Sequence, residues 1–239
     1  SWHVDGSRRT NRSRTRGICT TMKLKDLFES TGKSVADLGI EFEHGSFDIR
    51  NSGLTSLVGS PAKIQGTLRA SRNKLISLIG GPSEVYGSYM CDQNKLTTLE
   101  GAPKKVGDFF VCDHNDLKSL KYAPEETGMD FDCKFNGLTS LEGAPRKIGR
   151  HFSCEMNKLT SLKDVHKIFD VVNGIFDARD NPIKSHVLGL LLINGITAIE
   201  ISNLQVQDIL NEHLEKGRAG MLMAQEELIE LGYEEFAQL

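Results

Sequence analysis

Tyr89–Phe109 reads YMCDQNKLTTLEGAPKKVGDF, and Phe152–Asp164 reads FSCEMNKLTSLKD. The chain repeats itself, with a cysteine in the same place each time. Asn73, Asn94, Asn115, Asn136 and Asn157 are spaced by 21 residues. So are Leu54, Leu75, Leu96, Leu117, Leu138 and Leu159, and three residues after each of them Leu57, Leu78, Leu99, Leu120, Leu141 and Leu162. Pro61, Pro82, Pro103, Pro124 and Pro145 keep the interval. An aliphatic three residues later gives Ile64, Val85, Val106 and Ile148, with Thr127 as the exception. Phe47, Leu68, Tyr89, Phe110, Phe131 and Phe152 form another column, followed two residues on by Ile49, Ala70, Cys91, Cys112, Cys133 and Cys154.

A fixed period of this length is the signature of a stacked repeat. Aromatic and cysteine two residues apart point the same way from a short strand. Stacking the units makes a parallel sheet with that face in the core. The Asn side chain turns inward and satisfies backbone groups of the bend that water cannot reach. Proline, and the Gly-Ala before it in EGAP, hold an extended return path. Ser52 replaces Asn in the first rung. In the last, Asn181 follows Asn157 by 24, so three residues are inserted near DVHKIFDVV, after which Val172, Phe176, Ala178 and Ile183 resume the pattern. Seven rungs over residues 45–183 exceed the ~3 that a solenoid needs.

The unit resembles the leucine-rich repeat L-x-L-x-x-N-x-L, with Phe and Cys in the first two apolar slots. It is similar to the short repeats with proline in place of a convex helix in bacterial effector and phage-encoded proteins. The resemblance implies an α/β solenoid with a parallel sheet on its concave face. The last 56 residues look like the endings of repeat proteins of tailed phages.

The four repeat cysteines face one column. Zinc sites need cysteines or histidines converging tetrahedrally at short spacing. In-register parallel strands turn the Cβ atoms the same way, which disfavours disulfides. Ala70, Ala178 and Ile49 share the slot, so the expected role is packing. Four buried thiols suit a reducing compartment.

Subtracting the inward columns leaves four outward ones. They hold Met90, Phe109, Val111, Phe135 and Met156 among Asp92, Asp113, Asp130, Asp132 and Glu155, with Gln93, His114 and His151. Unlike the inward columns, these do not repeat. Apolar groups ringed by charge resemble a protein-binding patch. Asp130, Asp132 and His151 fall on adjacent rungs, where a cation is conceivable; solvated polar residues are the expectation, and no metal or cofactor is assigned. On the opposite side Lys63, Lys104, Lys105, Arg146 and Lys147 suggest a basic stripe.

The 239 residues carry a net charge of −3, unevenly spread. SWHVDGSRRTNRSRTRGICTT, residues 1–21, holds five Arg and one Asp; residues 182–239 hold three Lys/Arg and nine Asp/Glu. The balance disfavours nucleic acid as partner, and no run is long enough to span a membrane. Residues 1–21 lack apolar groups to bury and read as a disordered, non-native leader before Met22. Residues 22–44 read as a helical cap, with Leu24, Leu27 and Phe28 on one face. STGKS (Ser30–Ser34) resembles the end of a phosphate loop, but Leu27 stands where the first glycine is needed; Ser34 suits an N-cap instead. Residues 184–239 read as a helical domain: HVLGLLLI as a short buried element, then two amphipathic helices, with Gly217 and Gly232 as stops and Leu222, Gln225, Leu228 and Ile229 on one side of the second.

No catalytic motif is present. The expectation is a non-catalytic, cytoplasmic scaffold of a bacterial or phage-infected cell, with a protein partner on the concave face. A virion or assembly component, or an effector whose C-terminal domain carries an activity, are the alternatives.

Overall fold

The computed structural model describes residues 34–38 and 45–239. The chain is a parallel β-solenoid of seven turns closed by a helical end. Each of the first six turns supplies two very short strands, and the seventh supplies one. The first set is β1 (Phe47–Asp48), β3 (Leu68–Arg69), β5 (Tyr89–Met90), β7 (Phe110–Val111), β9 (Phe131–Asp132), β11 (Phe152–Ser153) and β13 (Ile175–Asp177). These pair in register, Phe47 with Leu68, Tyr89 with Phe110, Phe110 with Phe131. β14 (Ala198–Glu200) joins β13 and completes an eight-stranded sheet. The ladder therefore runs past residue 183, where the repeat pattern stops in sequence.

The return path is more than an extended connection. β2 (Lys63–Ile64), β4 (Glu84–Val85), β6 (Lys105–Val106), β8 (Glu126–Thr127), β10 (Lys147–Ile148) and β12 (Val171–Val172) build a second parallel sheet. Its inward column is the aliphatic after each proline; Thr127 is as buried as its neighbours, and its hydroxyl donates to Met129 O at 3.2 Å.

The core lies between the sheets. Leu54, Leu75, Leu96, Leu117, Leu138 and Leu159 are fully buried, as are Cys91, Cys112, Cys133 and Cys154. Aromatic rings stack along the axis: Tyr89 on Phe110 at 5.3 Å, Phe110 on Phe131 at 5.4 Å, Phe131 on Phe152 at 5.9 Å. Rings at this spacing fit strands ~4.8 Å apart. The three-residue insertion has a packing reason. It forms the single turn α1 (Val165–Ile168) and delivers Phe169 edge-on to Phe152 and Phe176.

The asparagine ladder holds the bends. Asn115 Oδ1 accepts from Leu96 N at 2.9 Å, one turn back, while its Nδ2 donates to Cys91 O and Cys112 O at 3.1 Å each. Asn181 makes the same set across the insertion. Ser52, where the ladder begins, donates its backbone N–H to Asn73 Oδ1.

At the N-terminal end Val35 is buried in the core, and Ala36 N donates to Val58 O at 2.7 Å. Ser34 Oγ and N both donate to Asp37 Oδ2, capping one 3-10 turn at Ala36–Leu38. The expected leader, and the cap helix before Ser34, lie outside the described residues. At the other end a buried 3-10 segment (Leu188–Leu192) precedes β14, α2 (Leu204–His213) and α3 (Gly217–Glu230). The 3-10 turn Leu214–Lys216 separates the two helices, Gly217 at φ 54° opens α3 rather than ending α2, and Gly232 at φ 81° follows α3. The inward face of α3 differs from expectation. It is Gly220, Met221, Ala224 and Leu228; Leu222 and Ile229 are exposed. Small residues at 220 and 224 let α3 approach closely: a Cβ on Gly220 would lie 2.2 Å from His213 O.

Candidate functional site

The outward face of the eight-stranded sheet collects the residues singled out from sequence. Their exposure is graded. Met90, Phe109, Val111, Asp92, Asp130, Asp132, His151 and Glu155 are half-buried, and Asp113 is only 9% exposed. Gln93, His114, Phe135 and Met156 stand out, with Phe135 38% and Met156 44% exposed.

These four belong to a column with one backbone conformation. Asn51, Arg72, Gln93, His114, Phe135, Met156 and Asp180 all have φ between 50° and 58°. The left-handed region favours Gly, Asn and Asp and penalises longer side chains by ~1–2 kcal/mol. The first and last turns use Asn51 and Asp180. The five turns between use bulky residues instead. Neighbours along this ridge touch: His114 stacks on Phe135 with centroids 4.2 Å apart and planes 18° apart, and Arg72 Nε donates to Gln93 Oε1 at 3.1 Å.

Beside the ridge runs a line of carboxylates. Asp113 Oδ2 lies 2.6 Å from His114 Nδ1, and Asp92 takes the Ser71 hydroxyl. Asp132 pairs with Lys134 at 2.9 Å, yet burial holds its carboxyl above the usual range. Glu155 is also raised, by burial and then by neighbouring Asp177. Arg179 balances that end, meeting Asp177, Glu200 and Glu155 at 2.5, 3.0 and 3.7 Å.

Asp130 and His151 are otherwise engaged than with a cation. Asp130 Oδ1 accepts from His151 N at 3.1 Å, and His151 Nδ1 accepts from Ile175 N at 2.9 Å. Among the described residues, no group of three or more His, Cys, Asp and Glu is placed to hold a metal ion. Burial pushes the four repeat thiols well up from their ordinary value, away from the reactive thiolate.

The opposite sheet is not the basic stripe expected. Its outer column reads Lys63, Glu84, Lys105, Glu126, Lys147, alternating in sign at each turn. Lys63 meets Glu84 at 2.8 Å, and Glu126 takes Lys105 at 2.8 Å and Lys147 at 3.2 Å. Arg146 pairs with Asp170 alongside. The 21-residue register places each of these bases beside an acid of a neighbouring turn. A groove of about 970 Å³ lies here, with Gly107, Gly128 and Gly149 in its lining. The glycines follow from the stacking: a Cβ on Gly128 would sit 1.8 Å from Gly107 O.

A scan against protein-family models finds no match, and searches of curated proteins and of solved structures find none either. Among the described residues, no helix is long and apolar enough to cross a membrane.

Proposed function

We propose that this chain is a non-catalytic protein-binding scaffold of the leucine-rich-repeat type, and that it docks its partner on the outward face of the eight-stranded sheet. The observation that carries this reading is the left-handed column. Folding favours Asn, Asp or Gly there, and the terminal turns have Asn51 and Asp180. Arg72, Gln93, Phe135 and Met156 are worse for the backbone, and with His114 they place large groups in solvent. Side chains that cost stability and repeat no inward pattern are best explained by what they touch outside the molecule. The half-buried Met90, Phe109 and Val111 extend an apolar floor beside them.

The test replaces Gln93, His114, Phe135 and Met156 together by Asn. Asn suits the left-handed conformation, so the solenoid is expected to persist. Affinity capture from the native source, wild type against variant, should lose the specific partner with unchanged circular dichroism. Retention of the same partner by the folded variant overturns the reading.

A further inference from the structure

We infer that the segment received by this face is cationic and carries arginine: an extended arginine-bearing stretch of a partner protein. This rests on the docking face just proposed and adds the chemistry of its occupant. Two observations converge. The first is charge. On the four central turns, Asp92, Asp113, Asp130, Asp132 and Glu155 face outward; Lys134 meets Asp132, Arg150 approaches Asp130 at 3.8 Å and Arg179 approaches Glu155 at 3.7 Å, whereas Asp92 and Asp113 take the Ser71 hydroxyl and the His114 ring. The opposite sheet, by contrast, neutralises its charges turn by turn. The uncompensated Asp92 and Asp113 therefore lie on the same face as exposed Phe135 and Met156. A basic segment is attracted to it, and an acidic one is repelled.

The second is the aromatic pair. Phe135 has His114 stacked on it at 4.2 Å and is still 38% exposed. Asp113, which contacts that histidine, lies at the edge of the pair. A planar guanidinium satisfies both surfaces: it stacks on the ring and offers its N–H groups to carboxylates. An ammonium is a compact, strongly hydrated charge and matches only the carboxylates. The ridge from Gln93 to Met156 spans four turns, roughly 14 Å at ~4.8 Å per strand, about the reach of four or five extended residues.

The probes are three eight-residue peptides alternating Ser with Arg, Lys or Glu, titrated into the isotopically labelled full chain. The Arg peptide should shift amides of Asp113, His114, Phe135 and Met156, and bind at least about fivefold tighter than the Lys peptide. Phe135→Asn should abolish that preference while retaining the weaker, salt-sensitive binding. The Glu peptide should leave the ridge unmoved. Arg-peptide shifts that avoid the ridge, a preference untouched by Phe135→Asn, ridge shifts with the Glu peptide, or ridge shifts on concentrating the protein alone would each overturn the inference. If partner capture depends on the ridge while the Arg peptide does not bind there, the face docks another chemistry and this inference alone falls.

Discussion

The side chain of Asn211 in α2 clasps the backbone of Ile199 in β14: its Oδ1 accepts from Ile199 N at 2.8 Å and its Nδ2 donates to Ile199 O at 2.8 Å. Gln207, one helical turn earlier, accepts from Ile201 N at 3.0 Å. In the interior of the ladder a further strand takes these groups, as when Phe110 N donates to Asp130 O. Here two side-chain amides stand in for that strand, and the exposed edge is closed. Asn211→Ala leaves a part-buried N–H and C=O unpaired and should cost about 2–4 kcal/mol in urea denaturation. Asn211→Asp restores only the acceptor and places a charge beside the Ile199 carbonyl, so at neutral pH it should be no better. A neutral effect of both would show that water serves this edge equally well.

Tyr89 heads the aromatic stack, and among the described residues its buried hydroxyl has no hydrogen-bond partner. The other rings of the column are Phe. Tyr89→Phe removes a desolvated polar group and should stabilise the fold by about 1 kcal/mol. An unchanged or lower urea midpoint would mean that the small void left behind offsets the gain.

The cysteine column predicts alkaline sensitivity. Burial raises the folded pKa of Cys91, Cys112, Cys133 and Cys154, so only the unfolded chain ionises them near their ordinary value. A raised folded pKa gives stability that is complete below the unfolded pKa and is lost as pH rises above it. Stability should therefore fall from about pH 8.5, by up to roughly 5 kcal/mol per pH unit once four thiols titrate in the unfolded state. Replacing all four by Ala, which Ala70 and Ala178 show the slot accepts, should flatten that fall. A urea midpoint that declines equally in both proteins between pH 8 and 10 would place the sensitivity elsewhere.

Tyr122 occupies the left-handed position, φ 71°, that Gly59, Gly80, Gly101 and Gly143 hold in other turns. It is half exposed, with Lys121 over its ring at 5.0 Å. Tyr122→Gly should relieve ~1 kcal/mol of backbone strain, partly offset by the freer unfolded chain. A thermal midpoint clearly below wild type would mean that the ring contributes more by packing than the backbone loses.

Met156 separates strain from recognition. Met156→Val places a β-branched residue at φ 53° and should cost about 1–2 kcal/mol, whereas Met156→Asn should be at least as stable as wild type. Equal stability of the two variants would show that the turn relaxes out of the left-handed region.

How much was legible follows from what repeats. An inward side chain meets the same environment in every turn, so selection for packing imposes the same residue 21 positions on. Phe110, Cys112, Asn115, Leu117 and Leu120 could be placed in the core from spacing alone, and all are buried. The Lys63–Glu84–Lys105–Glu126–Lys147 alternation was equally written at that spacing, but it shows only when acids and bases are read in one column. The left-handed ridge was not legible, because Phe135 and Met156 are poor residues for that conformation and no local propensity announces them. The inward face of α3 was misread for a similar reason. Leu222 and Ile229 are apolar, but the space beneath the helix admits Gly220 and Ala224.

The amino-acid sequence by itself determined the period, the inward columns and the asparagine ladder, since these depend on one residue meeting its own equivalent. Only the tertiary structure decided the second sheet, the closure of β14 by Asn211 and Gln207, and which outward residues stand clear of their neighbours. Those outcomes depend on contacts between unlike residues in different turns or in the terminal helices, and on how closely backbones approach. No periodicity encodes such contacts.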